Sequence, residues 1–460
     1  MGLHLTHEVL QLPLRDPFRI ARSDHDAGHA VTTVVVELRD DRHPGLVGLG
    51  EGYPDRFYGE TPETMAAVFP RLLAAVEAPE WTAAGLTEAG LAMDRAIAHH
   101  GGAKCAIDIA LHDLAGKIVG QPVHRLLGLS AEIQPTDFTL GIDEPAVVAE
   151  RARRASRFPA LKIKVGGPDD LATLEAVRAV YAGPIRVDAN TGWTRDDAVA
   201  ILPALEGLGV ELIEQPFPRQ ALRDLGWLQE RSTLPIVADE SAVTIEDLDG
   251  LVGVVAGVNV KLAKCGGVGA AGRMLARARE LGFRTFLGCM EETSVAIAAS
   301  AALASLAEWV DLDGSLLLAE DPFEGLDLDD QCRWRLTDVP GSSAYVDRGV
   351  VCYTNRSKTE LAGVPEAIIA EHGAVSEAVA RAMAEGIRAR ARTDVGIGVT
   401  GIAGPAGGTP EKPVGTVAIA VAAGESLSVR TFKFFGNREM VKFQSAQAAL
   451  NMLRLMLLRG

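Results

Sequence analysis

The sequence predicts an α/β fold: a (β/α)8-type barrel with an N-terminal α+β capping domain and a C-terminal three-layer-like α/β domain that lacks its first strand and helix. Two observations carry the barrel. Five short apolar runs each close on charge, at Lys162/Lys164, Asp188, Glu214, Asp239 and Lys261, and the steps counted from Lys164 are 24, 26, 25 and 22 residues. One strand, one helix and two loops consume about that many residues, and strict alternation of the two implies a parallel sheet. A third observation marks off the tail, where the βα beat stops and a Gly/Pro-rich loop appears between Thr400 and Gly415.

In chain order, residues 1–130 open with strand signals over Val31–Leu38 and Leu46–Glu51, then turn helical, ending with Ala103–Val119. The barrel is expected over 131–320. Its strands read as Asp137–Leu140, Leu161–Val165, Ile185–Asp188, Leu212–Glu214, Ile236–Asp239, Val258–Lys261, Arg284–Leu287 and Trp309–Asp313. Between them lie helical patterns such as Asp169–Val180 and Gly269–Leu281, with joints at Gly183-Pro184 and Leu234-Pro235. A return segment at about 321–336 rejoins the capping domain. The third domain, 337–460, reads as a strand at Gly349–Tyr353, a helix over Ser376–Arg390, a strand at Val395–Val399, a strand beyond the Gly/Pro loop, and a last helix over Arg438–Leu458.

Composition bounds the partners. A net charge of −16 over 460 residues argues against nucleic acid and anionic membranes. No apolar run approaches the ~20 residues of a membrane span. The start, Met1-Gly2-Leu3-His4-Leu5-Thr6, lacks a basic leader and fits the loose N-myristoylation pattern only without a polybasic patch. Five cysteines (105, 265, 289, 332 and 352) show no paired spacing, which suits thiols in a reducing cytoplasm. A homo-oligomer acting on a small molecule is expected.

Charged groups at the C-terminal ends of successive parallel strands face one mouth, where a barrel keeps its chemistry. Lys162 and Lys164 stand two residues apart and so share the lumen face. Asp188, Glu214 and Asp239 offer hard oxygen ligands suited to Mg²⁺. Three carboxylates crowded into one volume repel unless a cation joins them. Lys261 approaches from four strands away. Two lysines flanking a metal-bound carboxylate suit removal of the adjacent proton by one and its return by the other on the opposite face. For that, one lysine must be neutral, and cationic repulsion with partial desolvation is expected to lower its pKa. Taken singly, a Lys-x-Lys reads as a solvated edge and a strand-end Asp as a helix cap; five in consecutive βα units do not. Arg186 and Lys264 fall off this register and read as structural.

These runs, with Val187-Asp188-Ala189-Asn190, Ile213-Glu214-Gln215-Pro216, Ala238-Asp239-Glu240-Ser241 and Asn259-Val260-Lys261 followed by Gly266-Gly267, resemble the enolase superfamily, muconate-lactonizing subgroup. The likeness covers residues 1 to about 336. It implies Mg²⁺ on Asp188, Glu214 and Asp239, an acid/base pair in Lys164 and Lys261, and support of the substrate carboxylate by Lys162. Asp311-Leu312-Asp313-Gly314 looks like the Asp-x-Asp with which dipeptide epimerases hold a free α-ammonium. Thr139 matches a substrate-contacting position there, and Arg22 is placed to meet the side-chain carboxylate of a Glu. The resemblance points to an L-Ala-D/L-Glu-type dipeptide epimerase. The in-class rivals are o-succinylbenzoate synthase and N-acylamino acid racemase, whose substrates lack an ammonium for Asp311 and Asp313. A rival of another class is a nicotinamide-nucleotide-binding or assembly module with a degenerate barrel.

The tail is similar to the CinA C-terminal family, which includes nicotinamide-nucleotide amidases. The likeness rests on the stretches 338–345, 353–358, His372–Ser376 and the loop Thr400–Gly415. It implies catalytic and phosphate-contacting roles for Tyr353, Lys358 and Arg438. The family's Glu-Ser-Cys-Thr-Gly-Gly nucleophile motif has no counterpart in the chain. Groups that only activate a nucleophile cannot replace it, so a junction near 337, an exposed sheet edge and an inactive tail, poorly folded or self-associating, are expected.

Overall fold

A computed structural model describes residues 2–22, 28–76, 79–323, 325–336, 338–341, 352, 354–391, 393–405, 407–424 and 426–457. The chain divides into two compact units, Met1–Tyr345 and Val346–Gly460.

The first unit opens with an antiparallel sheet of β1 (Leu3–Pro13), β2 (Ala30–Asp40) and β3 (Gly48–Gly52) in that order. β1 was not expected, whereas β2 and β3 coincide with the two strand signals. Against the sheet pack helices Pro62–Ala75, Ala83–Ala96 and Gly101–Val119. The alternation Gly48-Leu49-Gly50-Glu51-Gly52 has a steric reason. A Cβ at Gly48, Gly50 or Gly52 would stand 1.9–2.2 Å from a carbonyl oxygen of the helix Gly101–Val119, so bare backbone is needed for it to lie on β3. Glu51 points the other way, fully buried. Its carboxylate accepts from the Thr293 and Ala296 amides and the Thr33 hydroxyl, and so caps the barrel helix Ser294–Ala301.

Eight parallel strands follow: β4 (Phe138–Leu140), β5 (Leu161–Lys164), β6 (Ile185–Asp188), β7 (Val210–Glu214), β8 (Ile236–Ala238), β9 (Gly257–Lys261), β10 (Arg284–Gly288) and β11 (Trp309–Asp311). They are ordered sequentially from β4 to β11. The Asp137 amide donates to Val310 O at 3.0 Å, bringing the two edges together. Each expected strand is present. The helices Asp170–Arg178 and Val268–Glu280 lie within a residue or two of their sequence signals. Low in the lumen, Leu212, Val237, Phe286 and Trp309 form an apolar cluster. The Lys162 ammonium and the Arg186 guanidinium lie 5.4 and 5.5 Å from the centroid of the Phe286 ring. Arg186 donates to Asp137 and Glu211, a support beneath the mouth.

The second unit has an antiparallel sheet of β12 (Val395–Gly401), β13 (Thr416–Ala423) and β14 (Ser426–Lys433). Helices Asn355–Ala362, Glu366–His372, Glu377–Ala391 and Arg438–Leu457 accompany it. One strand was expected after the Gly/Pro loop, and a hairpin turning at Gly424 is found. Most of the strand expected at 349–353, and Tyr353 with it, lies outside the described residues; Cys352 is described and is not in a strand.

Candidate active site

Register builds the site. Lys164 sits beside Asp188 across β5 and β6, and Asp188 beside Glu214 across β6 and β7. Asp239 follows the last residue of β8, and Lys261 ends β9. β5 and β9 are four places apart in a ring of eight, so their amines face each other across the lumen. Between Lys261 and Asp311 the matching position on β10 is Gly288. A Cβ there would lie 2.7 Å from Asn259 Oδ1 and 3.1 Å from Lys261 Cε, so the glycine leaves room for the amine.

Each carboxylate of the trio uses its two oxygens differently. The outer oxygens accept from protein donors: Asp188 Oδ1 from the Asn190 amide at 2.9 Å, Glu214 Oε1 from Asn259 Nδ2 at 2.8 Å, and Asp239 Oδ1 from Lys264 Nζ. The inner oxygens meet the ammonium groups. Lys164 Nζ is 2.6 Å from Asp188 Oδ2, Lys261 Nζ is 3.0 Å from Asp239 Oδ2, and Lys162 Nζ is 2.8 Å from Glu214 Oε2 and 3.2 Å from Asp188 Oδ2. Glu214 Oε2 has no hydrogen bond of proper geometry, though buried. One oxygen from each of Asp188, Glu214 and Asp239 lies within 4.8 Å of the others. Three converging hard oxygens, one without a hydrogen bond, fit a single divalent ion of the Mg²⁺ type, and the outer donors fix their orientation.

Electrostatics follow from burial and neighbours. Burial alone would raise the Asp188 and Asp239 pKa values, but the lysines beside them pull both below the usual carboxylate range. Glu214, buried next to Asp188, is pushed up to about 7. Neither Lys261 of the expected pair nor Lys162 is lowered. Burial acts in that direction, yet the surrounding carboxylates outweigh it and hold both above the ordinary value. Cationic repulsion is the smaller effect here, because each amine has a carboxylate in contact.

The remaining expected residues are gathered around this centre. Asp311 Oδ2 is 2.8 Å from Lys162 Nζ, and its Oδ1 accepts from the Thr139 hydroxyl at 3.1 Å. Asp313 Oδ2 accepts from the Thr139 amide at 2.6 Å. Burial and the neighbouring Asp311 raise the Asp313 pKa well above the usual range, while Lys162 keeps Asp311 low. Lys162 is thus inside the carboxylate cluster and not exposed at the mouth. Arg22 reaches the rim, with its guanidinium paired to buried Glu240 and stacked 4.2 Å from the Phe57 ring centroid. Sequence reasoning missed Glu240 and the orienting roles of Asn259 and Lys264. Lys264 donates to Asp239 O, Asn259 O and Ala242 O as well as to the carboxylate. The spacing Lys261-x-x-Lys264 was its one visible sign. In the second unit, Lys358 donates to Cys352 O at 3.1 Å and Arg438 to Gly404 O at 3.1 Å.

Amines facing each other across three converging carboxylates, at the mouth of a capped barrel, suit an isomerase that moves a proton next to a carboxylate. Comparison with known proteins agrees. Residues 5–128 match the mandelate racemase / muconate lactonizing enzyme N-terminal domain, 146–350 the enolase C-terminal domain-like family, and 331–457 the CinA C-terminal domain. An L-Ala-D/L-Glu epimerase of Bacteroides thetaiotaomicron is 36% identical over 343 residues, 74% of this chain and 87% of that protein. The dipeptide epimerase of Enterococcus faecalis V583, solved with Mg and L-Leu-L-Tyr, superposes with a TM-score of 0.68 at 32% identity, covering 75% of this chain and 99% of that one. A CinA-like protein of Syntrophus aciditrophicus is 52% identical over 147 residues, 32% of this chain and 34% of that protein. The chain belongs to the enolase superfamily, among its dipeptide epimerases, a family of isomerases solved with Mg.

Proposed function

We propose that this chain epimerises dipeptides of the L-Ala-D/L-Glu type with Mg²⁺ held by Asp188, Glu214 and Asp239. The opposed placement of Lys164 and Lys261 carries the reading, because it gives each face of one α-carbon its own amine. Lys164 takes the proton on one face and Lys261 returns it on the other. Asp311 and Asp313, beside Thr139, receive the substrate ammonium, which favours a dipeptide over a succinylbenzoate or N-acylated substrate. Lys162 steadies the reacting carboxylate. Mg²⁺ held by Asp188, Glu214 and Asp239 would supply electrophilic stabilisation of several kcal/mol when bound. Removing the α-proton in D₂O across a dipeptide library tests the assignment: Lys164→Ala and Lys261→Ala each abolish exchange from one epimer of the preferred substrate. Normal exchange in both variants ends it.

Arg22 deepens the choice among dipeptides. It already shares Glu240, so an acidic substrate side chain must compete for it or bridge to it.

We further place the join between the two parts near 337, where the two family matches overlap over 331–350. Without the nucleophile motif the tail should not hydrolyse nicotinamide mononucleotide, and a metal-free hydrolysis assay tests that. A homo-oligomer is supported by the helix Arg438–Leu457. One face, with Val441, Ala449 and Met452, packs on β13. Another presents Phe443, Leu450 and Leu457 at heptad spacing, 43–63% exposed. A helix apolar on two faces is built to be covered twice, and heptad spacing fits a second copy of the same helix. The described helices include none long and apolar enough to cross a membrane. Five free thiols fit our placement of the chain in the cytoplasm.

A further inference from the structure

Outside the barrel wall, away from the carboxylate trio, lies a half-open cavity of about 360 Å³. It is bounded by the linker after β1 (Arg15, Phe18), the outward face of β4 (Phe138), the end of the helix Pro145–Arg154, and Arg157 and Phe158. Its charge is unusual for so acidic a chain. Four arginines, Arg15, Arg151, Arg154 and Arg157, line it; Asp16 pairs with Arg151 and Arg154, and Asp143 with Arg151.

Arg151 is the deepest of these, its side chain 8% exposed. Nη2 donates to Asp143 at 2.8 Å, and Nε stands 3.8 Å from Asp16 Oδ1, while Arg154 donates to both oxygens of Asp16. Nη1 is buried with no partner at all. Burying an N–H without an acceptor is costly, and structures rarely accept it without a ligand or water to answer it. Opposite stand the rings of Phe138 and Phe158, 4.8 Å apart between centroids, with the Arg157 guanidinium 5.0 Å from the Phe158 centroid.

A cationic end and an aromatic wall define one ligand chemistry. We infer that this cavity binds a small amphiphilic organic anion, its charged oxygens on Arg151 and its apolar body on Phe138 and Phe158. A planar fork with a free donor favours a carboxylate or phosphate over a spherical anion. The site is distinct from the reaction centre but shares Thr139 as a wall, the residue that bonds Asp311 and Asp313.

The test uses the full chain with Mg²⁺ and two probes, 4-ethylbenzoate and phenyl phosphate, followed by calorimetry and ligand-observed NMR. Saturable binding in the millimolar range or tighter is expected for at least one probe, the tighter naming the headgroup. Arg151→Met weakens it about tenfold or more, and Arg157→Gln, an exposed change that leaves folding intact, weakens it about threefold. Should Arg151→Met fail to fold, Arg157→Gln decides alone. No saturation by either probe at about 20 mM, or unchanged affinity in the folded variants, overturns the site. Neither readout depends on epimerase activity.

Discussion

Lys264 holds Asp239 by one carboxylate oxygen and by its backbone, so the other oxygen is fixed toward the lumen. Replacing it with Met removes that support and leaves a buried carboxylate oxygen without its donor. Mg²⁺ affinity measured by calorimetry is expected to fall about 10- to 100-fold, the usual cost of losing an orienting partner. Unchanged affinity would make Lys264 a packing residue only. For Arg22→Met, kcat/KM is expected to drop at least tenfold for dipeptides with an acidic second residue and to change little for neutral ones. Glu292 supplies a pH signature: burial, with Glu51 nearby, pushes its carboxyl up to about 8. The folded state then keeps a proton that the unfolded chain loses near pH 4.5, so stability falls as pH rises from about 4.5 to about 8. Glu292→Gln should flatten that decline, read as Tm against pH. The trio and the lysines Lys164 and Lys261 were legible because each ends a strand or, for Asp239, directly follows one. Lys264 and Asn259 were not, since one lies on the short helix that follows its strand and the other two residues inside it. Nor does sequence show that carboxylate contact outweighs desolvation at Lys261.

At the level of elements, the barrel announced itself through repetition: short runs of three to five residues, apolar and carrying charge at their ends, at nearly constant intervals. β1 carried no comparable signal. It is an edge strand with most residues exposed, so its pattern mixes polar and apolar on both faces. The β13–β14 hairpin was read as one strand because Gly424 and its neighbours interrupt the apolar run for only a few residues. β3 makes a sharp claim about packing. A Cβ at Gly50 would lie 1.9 Å from Ala106 O, so Gly50→Ala must push the helix Gly101–Val119 off the sheet. A loss of about 3 kcal/mol or more is expected in chemical denaturation; a loss under about 1 kcal/mol would show that the sheet and helix separate easily.

For the whole molecule, every residue of the reaction centre falls in the unit ending at Tyr345. A chain stopped there should keep α-proton exchange within about twofold, because no catalytic group is lost. Failure to do so would mean that the tail contributes to the folding of the barrel. The heptad stripe Phe443–Leu450–Leu457 predicts that Leu450→Glu lowers the molecular mass seen in sedimentation, with exchange per chain unchanged. The fusion itself was legible from two sets of motifs meeting in one sequence.

Glu51 has one further implication. Because a carboxylate rooted in the small N-terminal sheet is sunk into the start of a barrel helix, swinging that sheet aside would strand the carboxylate and, on the barrel, the Thr293 amide, the Thr293 hydroxyl and the Ala296 amide at once. Entry of a dipeptide therefore has to be governed by short segments at the rim, and the sheet behaves as fixed masonry around the chamber.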